Sequence, residues 1–293
     1  MPLLGAHMSI AGGLHLAFTR IQEVRGEALQ IFLGNQRQWK TTPLTPEMVA
    51  EFRQQWEENN HLPVAAHDSY LINLATSDPV TLEKSVIAFA DELQRAATLG
   101  IPFLITHPGS HRGNGVEAGL QRFVQNMDRA ISRSKTSTVT VLIENTAGQG
   151  TNLGSKFEEI SFIIGESQYG DSLGVCFDTS HGFAAGYDLR TRETYGETFF
   201  KFDQIIGLER LRFFHINDSK RPLGSRVDRH EHIGKGEIGL ASFRLLLNDP
   251  RFQHHPMVLE TPKGKDLKED KANLRVLRSL IAKEAWRSDG VVE

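Results

Sequence analysis

Short apolar, β-branched runs alternate along the chain with longer segments of helical periodicity. The runs are LLGAH (3–7), ALQIFL (28–33), PVAAH (63–67), IPFLITH (101–107), TVTVLIEN (138–145), LGVCFD (173–178), LRFFHIN (211–217) and PMVLE (256–260). Their length and β-branched content predict buried strands. Amphipathic helices are predicted over 46–60, 79–99, 115–134, 155–166, 192–206, 240–248 and 266–284. The first of these is the clearest. Thr45 is placed to cap it, Pro46 takes the first helical position, and Met48, Val49, Phe52 and Trp56 share one face.

Eight strand–helix units in sequence fit a closed parallel barrel inside a ring of helices. The expected architecture is a single-domain (β/α)8 TIM barrel over residues 1–293, with residues 286–293 as a flexible tail. An open, doubly wound sheet is the alternative. It normally carries a glycine-rich phosphate turn after its first strand, and HMSIAGG lacks the GxGxxG spacing. No Pro-, Ser- or Gly-rich linker divides the chain.

A barrel gives the strand ends a common destination, because they converge on the C-terminal face where barrel active sites are built. Strands three to eight end on His67, His107, Glu144, Asp178, His215 and Glu260. One such residue at a strand end is ordinarily a solvated or hydrogen-bonded side chain. Six in succession point to metal ligation. Three further candidates lie on loops: His181, three residues after Asp178, and the pair Asp228 and His230 in GSRVDRHEHIG, whose Asp-x-His spacing puts both side chains on one side of an extended segment. Four carboxylates and five imidazoles at one barrel mouth would repel and desolvate one another without cations. Imidazole and carboxylate ligands without thiolate suit zinc first, with manganese or iron as substitutes. Nine candidates exceed one tetrahedral site, so several ions are expected close together, an arrangement that recurs in phosphodiester hydrolysis.

Composition then sets limits. The chain is 39% hydrophobic and 24% charged, with ample material for a core. MPLLGAHMSI shows no basic segment followed by an apolar stretch, and no run is long enough to span a membrane. Cys176 is the single cysteine, so no intrachain disulfide forms; within LGVCF it reads as a small buried hydrophobe. These features lead us to expect a cytoplasmic protein, nucleoid-associated if it binds DNA. A formal charge of −3 argues against a nucleic-acid partner only while the metals are ignored, since three divalent ions would turn it into about +3.

The motifs HDSYLINL (67–74), HPGSH (107–111), IENTAGQG (143–150), DTSHGFAAGYDLRT (178–191), HINDSK (215–220), GSRVDRHEHIGKGEIG (224–239) and LET (259–261) together resemble the endonuclease IV family of apurinic/apyrimidinic endonucleases. The resemblance runs from GAH at 5–7 to LET at 259–261. It implies about three zinc ions per chain. His67 and His107 would hold the first, with Glu144 bridging to a second completed by Asp178, His215 and Glu260; His181, Asp228 and His230 would hold the third. His7 is expected to hydrogen-bond a ligand rather than bind metal. Ser180 stands where a cysteine is common in relatives, at no ligand position.

The resemblance also implies hydrolysis of the phosphodiester 5′ to an abasic site in duplex DNA, leaving a 3′-hydroxyl and a 5′-deoxyribose phosphate, as in base excision repair. Action on blocked 3′ ends is implied too. Glu144 and Glu260 would serve catalysis. Asn35 and Arg37 in NQRQW, with Tyr70 and Leu71 in SYLIN, would enter the minor groove, although taken alone Tyr70 and Leu71 read as core. Leu33 and Gly34, just before NQRQW, are the less typical part of that loop. No lysine falls in the motifs closing strands three to six, while Lys220 and Lys235 lie after strand seven, which favours hydrolysis over Schiff-base chemistry. The implied enzyme is a monomer without membrane or organic cofactor. A metal-dependent sugar isomerase or epimerase on a related barrel is the alternative, but such sites use fewer metals. A non-catalytic damage-binding module would not need so many ligands.

Overall fold

The structure is a computed structural model that describes residues 1–282, so the tail expected at 286–293 and the end of the helix expected over 266–284 lie outside the described residues. Eight parallel strands close into a barrel: β1 (Leu3–Met8), β2 (Ala28–Phe32), β3 (Val64–His67), β4 (Phe103–Thr106), β5 (Thr140–Glu144), β6 (Leu173–Asp178), β7 (Leu211–His215) and, after a short antiparallel pair β8 (Asp218–Ser219) and β9 (His230–Glu231), β10 (Pro256–Leu259). Each strand pairs with its sequence neighbour in the barrel, and β10 closes the ring onto β1. The helices are α1 (Leu16–Glu23), α2 (Pro46–Glu58), α3 (Pro79–Leu99), α4 (Val116–Ser134), α5 (Phe157–Glu166), α6 (Thr179–Ala185), α7 (Arg192–Ile205), α8 (Gly239–Leu247) and α9 (Lys268–Leu280).

The eight expected strands and seven expected helices form, with shifts of a few residues at their ends. Thr45 caps α2 as expected, its hydroxyl accepting from the Met48 amide, and Phe52 is buried on the inner face. Two helices were not bounded by the sequence pattern. α1 is short, with Ala17, Phe18 and Ile21 buried on one face. α6 begins at the end of β6, where the Asp178 carboxylate accepts from the His181 amide at 2.8 Å. Among the described residues no helix is long and apolar enough to cross a membrane.

The strand alternation sorts the core into two layers. Outward residues such as Val175, Phe177 and Phe214 pack against the helices in one large cluster. Inward residues fill the barrel: Ala28, Ala65, Ile105, Leu142, Cys176, Phe213 and Val258, one from each of β2 to β7 and β10. β1 contributes Gly5, where a Cβ would overlap the Ala28 carbonyl. Cys176 is thus the buried hydrophobe expected, and burial pushes its thiol up to about 12. Two residues beyond each plug, the same face carries His7, Gln30, His67, His107, Glu144, Asp178, His215 and Glu260. The apolar plug closes the barrel floor, and the next inward layer is polar on every strand.

Candidate metal centre

Glu144, at the end of β5 and fully buried, is the hub of this polar layer. Its Oε2 lies 3.1 Å from Nε2 of both His67 and His107. Its Oε1 lies 2.9 Å from His215 Nδ1 and 3.1 Å from His181 Nδ1. Around it the donor atoms fall into three groups, each within 4.8 Å: His67, His107 and Glu144; Glu144, Asp178, His215 and Glu260; and Asp178, His181 and His230. The first two match the sets the resemblance implies. In the third, Asp178 joins the two histidines, while Asp228 stands at the rim, 3.4 Å from His181 Nε2 and 3.5 Å from His230 Nε2, with its side chain 47% exposed.

The donor chemistry fits divalent cations. Nε2 of His230 is buried without a hydrogen-bond partner, and Nε2 of His107 is buried with only the Glu144 carboxylate, at 3.1 Å, within reach and no well-formed hydrogen bond to it. A buried nitrogen left unpaired costs about 1–3 kcal/mol. Two nitrogen or oxygen ligands sharing one tetrahedral zinc stand about 3.4 Å apart, close to the 3.1–3.6 Å separating these imidazoles from Glu144, Asp178 and Asp228. The opposite ring nitrogens are held in place. Nδ1 of His67, His181 and His230 faces the carbonyl oxygens of Asp68, Asn145 and Glu260 at 2.9, 3.0 and 3.3 Å, the pattern that orients metal-binding imidazoles; His181 Nδ1 also lies beside Glu144 Oε1, which leaves its Nε2 as the nitrogen turned to Asp228.

Electrostatics lead to the same place. Burial opposes ionisation of Glu144 and Glu260, but the surrounding imidazoles outweigh it and hold both carboxyls well below the usual range. Burial would lower His67, yet its hydrogen bond and charge interaction with Glu144 carry it up to about 10. The carboxylates demand positive charge here, supplied by imidazoliums or by bound cations in their stead.

His7 makes no approach to Glu144 and instead pairs with its neighbours: Gln30 Nε2 lies 2.9 Å from its Nδ1, and Glu260 Oε1 lies at 3.7 Å. Sequence reading passed over Gln30 and Asn217. Asn217 donates to Asp178 Oδ2 at 2.7 Å and accepts from the Glu260 amide at 2.8 Å, tying two ligand candidates together. The signal for Gln30 was present: it is the polar residue inside ALQIFL, in phase with the strand ends.

Beside the hub, a cavity of about 310 Å³ is bounded by Tyr70, Asn73, His107, Arg112, His181 and Asp228. Tyr70 is 68% exposed and packs its ring 5.4 Å from Phe32, so it is not a core residue. Leu71 is half-buried, and Asn35 and Arg37 are exposed. The two loops touch: the Tyr70 amide donates to Gln36 Oε1 at 3.2 Å. Arg95, buried on α3, donates to the carbonyls of Leu33 and Thr42 at 2.9 and 2.8 Å and so ties together both ends of the 33–42 loop.

Comparison with known proteins agrees with this architecture. The family described as xylose isomerase-like TIM barrel matches residues 18–280. "Probable endonuclease 4" of Chloroflexus aggregans is 52% identical over 281 residues, covering 96% of this chain and 98% of that protein. "Probable endonuclease 4" of Geobacter sulfurreducens is 49% identical over 284 residues, 97% of this chain and 96% of that protein. The crystal structure of endonuclease IV from Thermus thermophilus aligns with a TM-score of 0.85 and 38% identity, covering 95% of this chain and 98% of that one. A D-tagatose 3-epimerase-like protein aligns at a TM-score of 0.70 but 18% identity, over 94% of this chain and 98% of that one, and shares the fold.

Proposed function

This chain belongs to the endonuclease IV family, and on that premise we propose that it is a metal-dependent DNA-repair endonuclease that hydrolyses the phosphodiester 5′ to an abasic site. The observation that carries the reading is the convergence of four imidazoles on Glu144, each within 3.1 Å. His67, His107, Glu144, Asp178, His181, His215, Asp228, His230 and Glu260 would hold about three divalent ions, zinc first. Such ions supply Lewis acidity and positive charge against a phosphodiester.

The protein's own groups then divide the work. Glu144 directs one oxygen to His67 and His107 and the other to His181 and His215, which keeps the ligand sets in one rigid cluster. Glu144 and Glu260 orient the attacking water in line with the scissile P–O bond, whose departing 3′-oxygen becomes the new 3′-hydroxyl. The cavity between Tyr70 and Asp228 receives the abasic sugar. Asn35, Arg37, Tyr70 and Leu71 grip the duplex from two loops, with the exposed Tyr70 ring as the wedge that stacks on a base. The same cluster would act on blocked 3′ ends, and the enzyme would work as a monomer on duplex DNA. A sugar isomerase or epimerase would leave the group at Asp178, His181 and His230 without a task.

Incision of a duplex with one tetrahydrofuran residue tests the reading, because that analogue has no aldehyde for a lyase to attack. The zinc-loaded protein should cut on its 5′ side, leave a 3′ end that a polymerase extends, and stop when a chelator is added. An uncut analogue, or a covalent adduct trapped by borohydride on a natural abasic site, would refute it. A second expectation concerns the grip. Alanine at both Arg37 and Tyr70 should weaken binding to abasic duplex roughly 10- to 100-fold. Because both residues are exposed, stability should change by less than about 0.5 kcal/mol and zinc content not at all. Unfolding of the double variant in a melting experiment would return these residues to the core and end the wedge assignment.

A further inference from the structure

Gln30 carries a neutral amide rather than an imidazole or carboxylate, yet it is fully buried at the level of the candidate ligands. Its contacts fix the orientation of its amide. Nε2 lies 2.6 Å from Glu260 Oε1, and an ionised carboxylate only accepts, so the NH2 must face it. The second N–H reaches His7 Nδ1 at 2.9 Å. The amide oxygen is thereby turned to His215 Nε2, at 2.6 Å. That oxygen also only accepts, so the proton of His215 resides on Nε2. The other nitrogen, Nδ1, is left facing Glu144 at 2.9 Å, Glu260 at 3.3 Å and Asp178 at 3.9 Å.

The remaining histidines with a held nitrogen differ in one respect. His67, His181 and His230 are oriented by backbone carbonyls, which substitution cannot remove. His215 is oriented by a side chain, which it can.

We infer that Gln30 is a positioning residue of the metal centre: it locks His215 as the Nε2-protonated imidazole and holds Glu260 beside it, so that the Nδ1 lone pair and the Glu260 carboxylate are presented together to one divalent cation. This rests on the metal-centre reading above. A ligand whose tautomer and rotamer are fixed beforehand binds with less reorganisation.

The test uses zinc-loaded full-length protein and Gln30→Met, which keeps the length of the side chain and removes both hydrogen-bonding functions. Long-range ¹H–¹⁵N NMR of the wild type, with His215→Gln to identify the signals, should find Nε2 protonated and Nδ1 bound to zinc. Gln30→Met should surrender one equivalent of zinc to a competing chelator at an affinity about 10- to 100-fold lower, while melting with excess chelator present, lowered by the stranded His215 Nε2–H, still shows a single cooperative transition. Coordination of zinc through Nε2 in the wild type would overturn the role of Gln30 and leave the metal centre standing, whether or not the variant folds. A folded Gln30→Met with undiminished affinity for every equivalent would do the same. A wild type that binds no zinc at His215 would overturn both this inference and the reading on which it rests.

Discussion

Replacing Glu144 with glutamine is expected to slow incision of an abasic-analogue duplex by about a thousandfold, equivalent to roughly 4 kcal/mol in the barrier. The substitution preserves shape, so the loss reports charge and donor chemistry. Both Glu144 oxygens are engaged, Oε2 by His67 and His107 and Oε1 by His181 and His215. A glutamine turns an NH2 toward one of these pairs. That group cannot ligate a cation, and the lost negative charge lowers the attraction for every ion nearby. Zinc content by elemental analysis should fall together with the rate, from about three ions toward one. A variant that keeps both its full zinc content and a rate within about tenfold of wild type would remove Glu144 from the centre of the mechanism.

The second large effect is on stability, at Asp218→Ala. Asp218 is fully buried on β8, where Oδ1 accepts from the amides of Ser219 and Ile238 at 2.8 and 3.0 Å, and Oδ2 from those of Gly234 and Gly236 at 2.9 and 3.1 Å. Gly236 is required for this approach, since a Cβ there would run into the Ser219 carbonyl and the Asp218 carboxylate. Removing the carboxylate strands four amide donors and frees the loop that follows His230. The loss should be roughly 3–5 kcal/mol in denaturant unfolding with chelator present, so that metal binding does not enter. Asp218→Asn should recover little, because its NH2 would confront one pair of N–H donors. A loss under about 1 kcal/mol for the alanine variant would mean that the loop is held by other contacts.

Much of the candidate site was legible in the chain itself. From the third onward the strands end on histidine or carboxylate, and parallel barrel strands must deliver their C-terminal ends to one mouth. The convergence of His67, His107, Glu144, Asp178, His215 and Glu260 follows from that rule. His181 and His230 were within reach because their neighbours in sequence fix where their loops begin. The exposure of Tyr70 was not: an aromatic residue after a strand reads as core until the loop's path is known, and here the ring rests against Phe32 with most of its surface open.

What the sequence determined by itself is periodic and local. Alternation along each strand chose which residues face inward, and the apolar plug two positions before each polar residue is written in the same period. The tertiary structure decided whatever depends on partners far away in the chain. Gln30 lies 185 residues from His215 and 230 from Glu260, and Arg95 lies 62 from Leu33. Along the unfolded chain, one is a polar interruption in a strand and the other an arginine on an amphipathic helix. Hydrogen bonds are short and directional, so their partners are set only when barrel closure and strand register bring separate segments within about 3 Å. Asp178 likewise joins His181 and His230 at the third group because β6 and the β9 loop meet there, a meeting that no spacing along the chain encodes.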